Sequence, residues 1–372
     1  MTPHPSGVSQ TRSFTTVFLI EMWERFGYYG MAALLVLFMI DKLGFDDSHA
    51  NLTWGAFTAL VYSAPAIGGW IGDKVLGARR TMIFGACILA SGYLMLAIPF
   101  DSLGYLYAAL GVIVVGNGLF KANAANLVRR IYEGDDARLD SAFTIYYMSV
   151  NIGSTISMLA TPWIKDHWGW HVAFAVCFAG MVLGMINFMV MRRTVASIGS
   201  APDDEPMMWG RFAAVAVGAV ALGLATVFVL QNEHVAAICV YAAGVAMLVI
   251  FGWMLLKCDR SERSGLLAAL ILTLQVVLFF IFYQQMSTSL TLFALRNVDA
   301  SFTLFNVTLF SWSAAQFQAL NPLWIMLLSP FLAIAYTRLA NSDHDIPIAA
   351  KYALGFIVVA LGFFVFAFSG HY

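Results

Sequence analysis

The chain has 372 residues, of which 60% are hydrophobic and only 11% charged, where a soluble domain carries roughly 25% charged residues. That composition excludes a soluble globular protein. The formal net charge of −1 says nothing about partners, and no basic patch interleaved by aromatics points to nucleic acid.

Apolar stretches long enough to cross a bilayer, about 20 helical residues each, recur at 16–40, 52–72, 81–100, 104–128, 140–163 and 168–191, then at 208–231, 235–257, 264–288, 315–338 and 347–369. These eleven spans define an all-α polytopic membrane protein. Basic loops are retained in the cytoplasm, and a cytoplasmic N-terminus sorts them cleanly. Arg12, Lys74, Arg79, Arg80, Arg129, Arg130, Arg192 and Arg193, among others, then lie inside, against Lys42, Lys165 and Arg296 outside. Residues 1–193 form a six-span bundle and 194–206 a Pro- and acid-rich linker. Residues 207–258 are a bland hairpin without internal charge, expected to be peripheral or lipid-facing, and 259–372 hold three further spans. Beside six spans, three make the second bundle incomplete in this chain, an expectation from span count alone.

The first span contains "EMWERFGYYG", with Glu21, Glu24, Arg25, Tyr28 and Ala32 on one helical face. A charge at the bilayer centre costs about 2.5–3.5 kcal/mol on insertion scales, so this face looks into protein or water. A structural ion pair is one reading. Two carboxylates against one arginine leave a surplus acid, however, and a surplus acid in low dielectric favours proton uptake and release. In the second span Tyr62 interrupts "LVYSAPAIGGW", and the loop after it reads "GGWIGDKVLGARRT". There Gly69 and Gly77 allow tight packing, and Arg79 and Arg80 are expected to bridge to Asp73 or to neighbouring helix ends as a latch.

The fourth span holds Lys121 in "GNGLFKANAAN", about two turns before Arg129. Lysines near helix ends often snorkel, but Asn117, Asn123 and Asn126 make this a cavity-facing helix. Asn151 in "FTIYYMSVNIGS" is either helix-to-helix glue, worth about 0.6 kcal/mol in measured cases, or a binding amide. Gln284, Gln285, Ser287 and Thr288 give 264–288 an uncharged polar face. In "QALNP", Pro322 is expected to free a backbone carbonyl beside Asn321, as in the broken helices where transporters bind substrate. The four cysteines show neither metal-ligand spacing nor a shared outer loop. No metal site, and no histidine or serine dyad of an enzyme, is expected.

These motifs resemble those of the proton-coupled oligopeptide transporters, a branch of the major facilitator superfamily. "EMWERFGYYG" is similar to the family's ExxERFxYYG motif and "YYMSVNIG" to its FYxxxNxG signature. Asp73 with its glycines resembles the superfamily loop motif, and "QALNP" the family's eighth-span motif. The resemblance extends from about Ser13 onward, and a two-helix insertion between bundles is what prokaryotic members carry. It implies import of di- and tripeptides by alternating access of two six-helix bundles, driven by protons, with no other cofactor, in a bacterial inner membrane. The transporter is expected to function as a monomer. By resemblance, Glu21 and Glu24 couple protons and set the charge state of Arg25. Arg25 and Lys121 engage the peptide carboxylate, with Tyr28, Tyr29 and Tyr62 lining that end. Asn151 and Asn321 bond the peptide backbone or amino end, and Gln284 lies on the opposing bundle.

Many members have arginine at the position of Ala32 and glutamate at that of Gln284, a salt bridge across the bundles. Both are neutral here. Removing one alone would strand a buried charge, at roughly 3–5 kcal/mol, so their joint loss is coherent and gating is expected to use packing and amide hydrogen bonds. A small-anion transporter, for nitrate for example, and a peptide sensor without flux are the competing readings.

Overall fold

Helix starts are written into the chain as caps. A side-chain oxygen before a helix satisfies an N–H that has no intrahelical partner. Ser9 accepts from the Arg12 N–H at 3.3 Å to open α1 (Gln10–Asp41), and Asp46 from His49 at 2.8 Å to open α2 (Asp47–Lys74). Ser102 opens α4 (Leu103–Ile131) and Asp135 opens α5 (Asp136–Trp168) in the same way. Among the first five helices the exception is α3 (Ala78–Ala97), which follows Gly77 at φ 100° and has no cap of its own. Then come α6 (Trp170–Met191), the short α7 (Ala201–Asp204), α8 (Trp209–Gln231), α9 (Glu233–Lys257), α10 (Arg263–Tyr283), α11 (Ser289–Asn297), α12 (Leu320–Asn341) and α13 (Ile348–Ser369). The computed structural model describes residues 9–100, 102–305, 307–341 and 346–369.

Among the described residues, eleven of these helices have 20 residues or more, about 30 Å of rise and enough to cross a hydrocarbon core. They coincide with the eleven expected spans. Eight helical stretches are also apolar enough to qualify by composition; α1, α2 and α5, which carry much of the polar constellation, are not among them.

The chain divides into two compact units, Met1–Ala236 with Ala315–Leu323, and Ala237–Ala314 with Trp324–Tyr372. In the first, α1 packs mainly against α5 and α6, while α4 packs against α2, α3 and α8. The middle of α1 is buried almost all round, with Met31, Leu34, Leu35 and Met39 fully enclosed, as expected of a helix inside a bundle. Close approach has a specific cause at Gly153 of α5. A Cβ there would run into the Met22 carbonyl and lie 3.3 Å from the Arg25 Cβ.

In the second unit α10 has no buried residue. Aromatic pairs tie α13 to its neighbours, Phe282 to Phe363 at 5.2 Å and Phe293 to Phe366 at 5.7 Å. The expected uninterrupted span 264–288 is broken at Gln284–Ser287, which tightens into a 3-10 turn. Residues 289–314, read from sequence as a connection, contain α11 and an antiparallel hairpin of β1 (Ser301–Leu304) and β2 (Val307–Ser311), on which Phe302 and Phe310 stack at 4.5 Å. Polar and aromatic alternation over so few residues is a weak signal beside a helical span.

Candidate functional site

Arg25 is the hub of the site. Its Nε is bonded to Glu24 Oε2 and lies 3.4 Å from Glu21 Oε1. All three side chains are buried, at 2%, 0% and 2% exposure for Arg25, Glu24 and Glu21. The guanidinium carbon sits 5.2 Å from the Tyr28 ring centre and 5.9 Å from that of Tyr29, a cation–π clamp that orients the positive group. From α4, Asn117 Nδ2 reaches Glu24 Oε1 at 3.5 Å. Glu21 Oε2, Arg25 Nη2 and Asn117 Oδ1 are buried without a hydrogen-bond partner among the described residues. Burial without pairing costs about 1–3 kcal/mol per group, so this cluster is not optimised for stability.

Lys121, one turn after Asn117 on α4, holds its Nζ 4.9 Å from the Tyr62 ring centre. It is also close enough to Arg25 and both glutamates to interact with them electrostatically. Two cations and two carboxylates thus share one interior face of the first unit. Tyr146 of α5 interacts with Glu21 as well.

Asn151 is buried, but its Nδ2 donates to the Tyr147 carbonyl of its own helix at 2.9 Å. Asn321 is half-buried in the first turn of α12. Pro322 stands in that same turn, where a missing N–H has no helical partner to lose, so the expected break in a helix is a helix start. Gln284 belongs to the 3-10 turn of the second unit. Ala32 is 3% exposed. Ahead of α12, Gln316 Nε2 donates to the Leu159 carbonyl of α5 at 2.8 Å and Gln318 Nε2 to the Ala33 carbonyl of α1 at 3.3 Å.

Of the two pairings expected for the loop motif's arginines, Asp73 or a neighbouring helix end, they take the second. Asp73 Oδ1 accepts from Asn126 at 2.7 Å and pairs with Arg130 at 3.4 Å, both on α4. Arg79 and Arg80 go instead to the linker. Asp203 of α7 takes the Arg79 backbone N–H at 3.1 Å and the Arg80 N–H at 3.4 Å, while Ser200 Oγ accepts from Ala78 at 2.8 Å. The linker therefore caps α3, which lacks a cap of its own. Gly77 makes this possible, because a Cβ on it would overlap the Asp203 carboxylate, and Gly69 lies where a Cβ would be 3.2 Å from that of Ala122. The side chains finish on linker carbonyls, Arg79 on Val195 at 3.0 Å and Arg80 on Pro202 at 2.9 Å and Glu205 at 2.6 Å.

Sequence reasoning left Asn117 out of the site. The signal was present: it stands four residues before Lys121, on the same helical face.

The family model described as PTR2, POT family, matches residues 79–371. The chain belongs to the POT family. Dipeptide and tripeptide permease A of Erwinia pyrifoliae is 41% identical over 367 residues, covering 97% of this chain and 73% of the relative. Dipeptide and tripeptide permease B of Xenorhabdus bovienii is 40% identical over 361 residues, with 97% and 73% covered. Among solved structures, crystalline tetrameric PepTSo2 superposes at a TM-score of 0.90 and 56% identity, covering 98% of this chain and 78% of that one. A POT family transporter in complex with 5-aminolevulinic acid gives 0.84 at 29% identity, covering 96% and 76%. This POT family protein accordingly has the major facilitator fold of a multi-pass membrane transporter.

Proposed function

We propose that this protein imports di- and tripeptides across a bacterial inner membrane by alternating access, coupled to inward proton movement, with its N-terminus in the cytoplasm. The observation that carries this reading is the buried cluster in which one arginine is shared by two carboxylates beside a second cation. With Glu21 and Glu24 both ionised, Arg25 is held within α1. Protonating one carboxylate removes half of its counter-charge, and the guanidinium then favours an incoming carboxylate. A peptide C-terminus supplies that group, and Arg25 with Lys121 forms a cationic pole for it. Release of the peptide returns Arg25 to its acids and expels the proton. Asn151, Asn321 and Gln284 are assigned, in this proposal, to the peptide backbone and amino end.

The names of the dipeptide and tripeptide permeases at 40–41% identity support the substrate class. The excess of basic residues on one set of loops supports the orientation. No cofactor is required beyond the proton. The coupling residues all lie in one chain, which supports transport by the monomer even though PepTSo2 crystallises as a tetramer.

The test is uptake of a labelled dipeptide into liposomes containing the protein, with and without an imposed inward proton gradient. Gradient-dependent accumulation, competed by unlabelled dipeptide and not by nitrate, is the expected result. Competition by nitrate, or binding without accumulation, would replace this reading with an anion carrier or a sensor respectively.

A further inference from the structure

The hairpin that the sequence reading treated as bland borders a cavity. On the outer side of the first unit, α2, α4 and α8 enclose an apolar space of about 380 Å³, walled by Ile67 and Ile71, by Val115, and by Val215, Gly218 and Leu222. Small residues hollow it: a Cβ added at Gly218 meets nothing within 4 Å. The cavity is open rather than sealed, for Ile67 and Trp70 on its edge are 51% and 61% exposed.

One end of this groove is cationic. On α8, Arg211 precedes Val215 and Gly218 by one and two turns. On α2, Lys74 follows Ile71 and Ile67 by one and two turns, so both cations continue the stripes that line the cavity. Val75 lines both the groove and the adjoining recess that contains Arg211. Trp209, 73% exposed, stands at the same end as Arg211, where amphipathic rings mark a membrane interface. Two other charged groups face this mouth. Arg80 is consumed by the Pro202 and Glu205 carbonyls. Glu205 pairs with Arg211 at only 3.7 Å, with both side chains substantially exposed at 58% and 43%.

An apolar slot along the outer surface of a membrane protein, ending in two exposed cations at the interface, matches a molecule with an acyl chain and an anionic head. A second copy of the chain fits less well, because dry helix contact would desolvate Lys74, Arg211 and Glu205 together. We propose that this groove is a binding site for an anionic phospholipid, with an acyl chain between α2, α4 and α8 and the phosphate bridging Lys74 and Arg211 in competition with Glu205. The inference requires only membrane embedding and stands apart from the peptide-transport reading.

The test is mass spectrometry of the intact protein released from mild detergent after equilibration with phosphatidylglycerol or with phosphatidylcholine of the same acyl chains. One phosphatidylglycerol is expected to be retained in preference to phosphatidylcholine. Replacing both cations (Lys74→Gln with Arg211→Gln) is expected to remove that preference, at about fivefold in affinity per charge, while Gly218→Leu removes retention of both lipids. Glu205→Gln is expected to raise phosphatidylglycerol retention, an effect opposite to that of breaking a structural ion pair. Equal retention of the two lipids by the unaltered protein would overturn the proposal. So would unchanged retention in Gly218→Leu, or a Gly218→Leu protein that changes its oligomeric mass while keeping its lipid. The exposed cation variants and Glu205→Gln do not disturb the core, so the proposal stays falsifiable even if Gly218→Leu misfolds.

Discussion

Two arginine clusters in the first unit handle buried charge in opposite ways. At the start of α3, Arg79 and Arg80 meet Asp203, and nearly every donor ends on a carboxylate oxygen or a linker carbonyl. In the middle of α1, Arg25 meets Glu21 and Glu24, and among the described residues one oxygen and one guanidinium nitrogen of that triad stay without partners. The first arrangement is a clasp: two arginines share one carboxylate, and linker carbonyls take most of their remaining donors. The second sets Arg25 and Lys121 against Glu21 and Glu24 and, among the described residues, leaves buried polar atoms of Arg25 and Glu21 unsatisfied. Buried charge that is incompletely hydrogen-bonded is poor for stability and useful for exchange.

The contrast predicts a crossed pattern of mutant effects. Glu24→Gln gives Arg25 a balanced partner in Glu21, so proton-driven peptide uptake is expected to fall to background while peptide counterflow persists and the unfolding temperature barely changes. A variant that lost stability and kept coupling would reverse the roles of the two clusters. Asp203→Ala removes the borrowed cap of α3 and strands three backbone donors, those of Arg79, Arg80 and Ser200, at roughly 1–3 kcal/mol each. Thermal unfolding in detergent is expected to show that loss, with the peptide concentration for half-maximal uptake unchanged.

Two smaller effects sharpen the comparison. Lys121→Ala deletes a cation–π contact worth about 0.5–2 kcal/mol and one charge of the proposed cationic pole. Competition assays are expected to show dipeptides weakened more than their C-terminally amidated analogues; equal weakening would remove Lys121 from carboxylate recognition. Gln318→Leu leaves shape nearly intact and deletes one amide hydrogen bond to α1, a net of about 0.5–1.5 kcal/mol. A small drop in unfolding temperature is expected, and no drop would mean that this amide contributes nothing to holding the start of α12 in the first unit.

Much of this was legible in the sequence because it is local. Long apolar runs specify spans, and residues three and four apart specify a shared face, so spacing alone puts Glu21, Glu24, Arg25 and Tyr28 together. Lys121 was legible as a cavity-facing cation for the same reason. Asn117 was readable by its spacing from Lys121 and was passed over, because its partner Glu24 stands 93 positions away. The break at Gln284–Ser287 and the hairpin 301–311 were missed because hydropathy registers an apolar run and not its backbone geometry.

The sequence by itself determined the class of protein, the long helices, their caps and the charged face of α1, all consequences of composition and periodicity within a few turns. Only the tertiary structure decided that Arg79 and Arg80 close on Asp203 rather than Asp73, that Gly153 and Gly77 are where chain segments touch, and that α8 leaves a groove beside α2 and α4. Those outcomes depend on which surfaces fit once helices meet. A one-dimensional pattern of residue types specifies which face each helix buries, and leaves its neighbour to be chosen by packing.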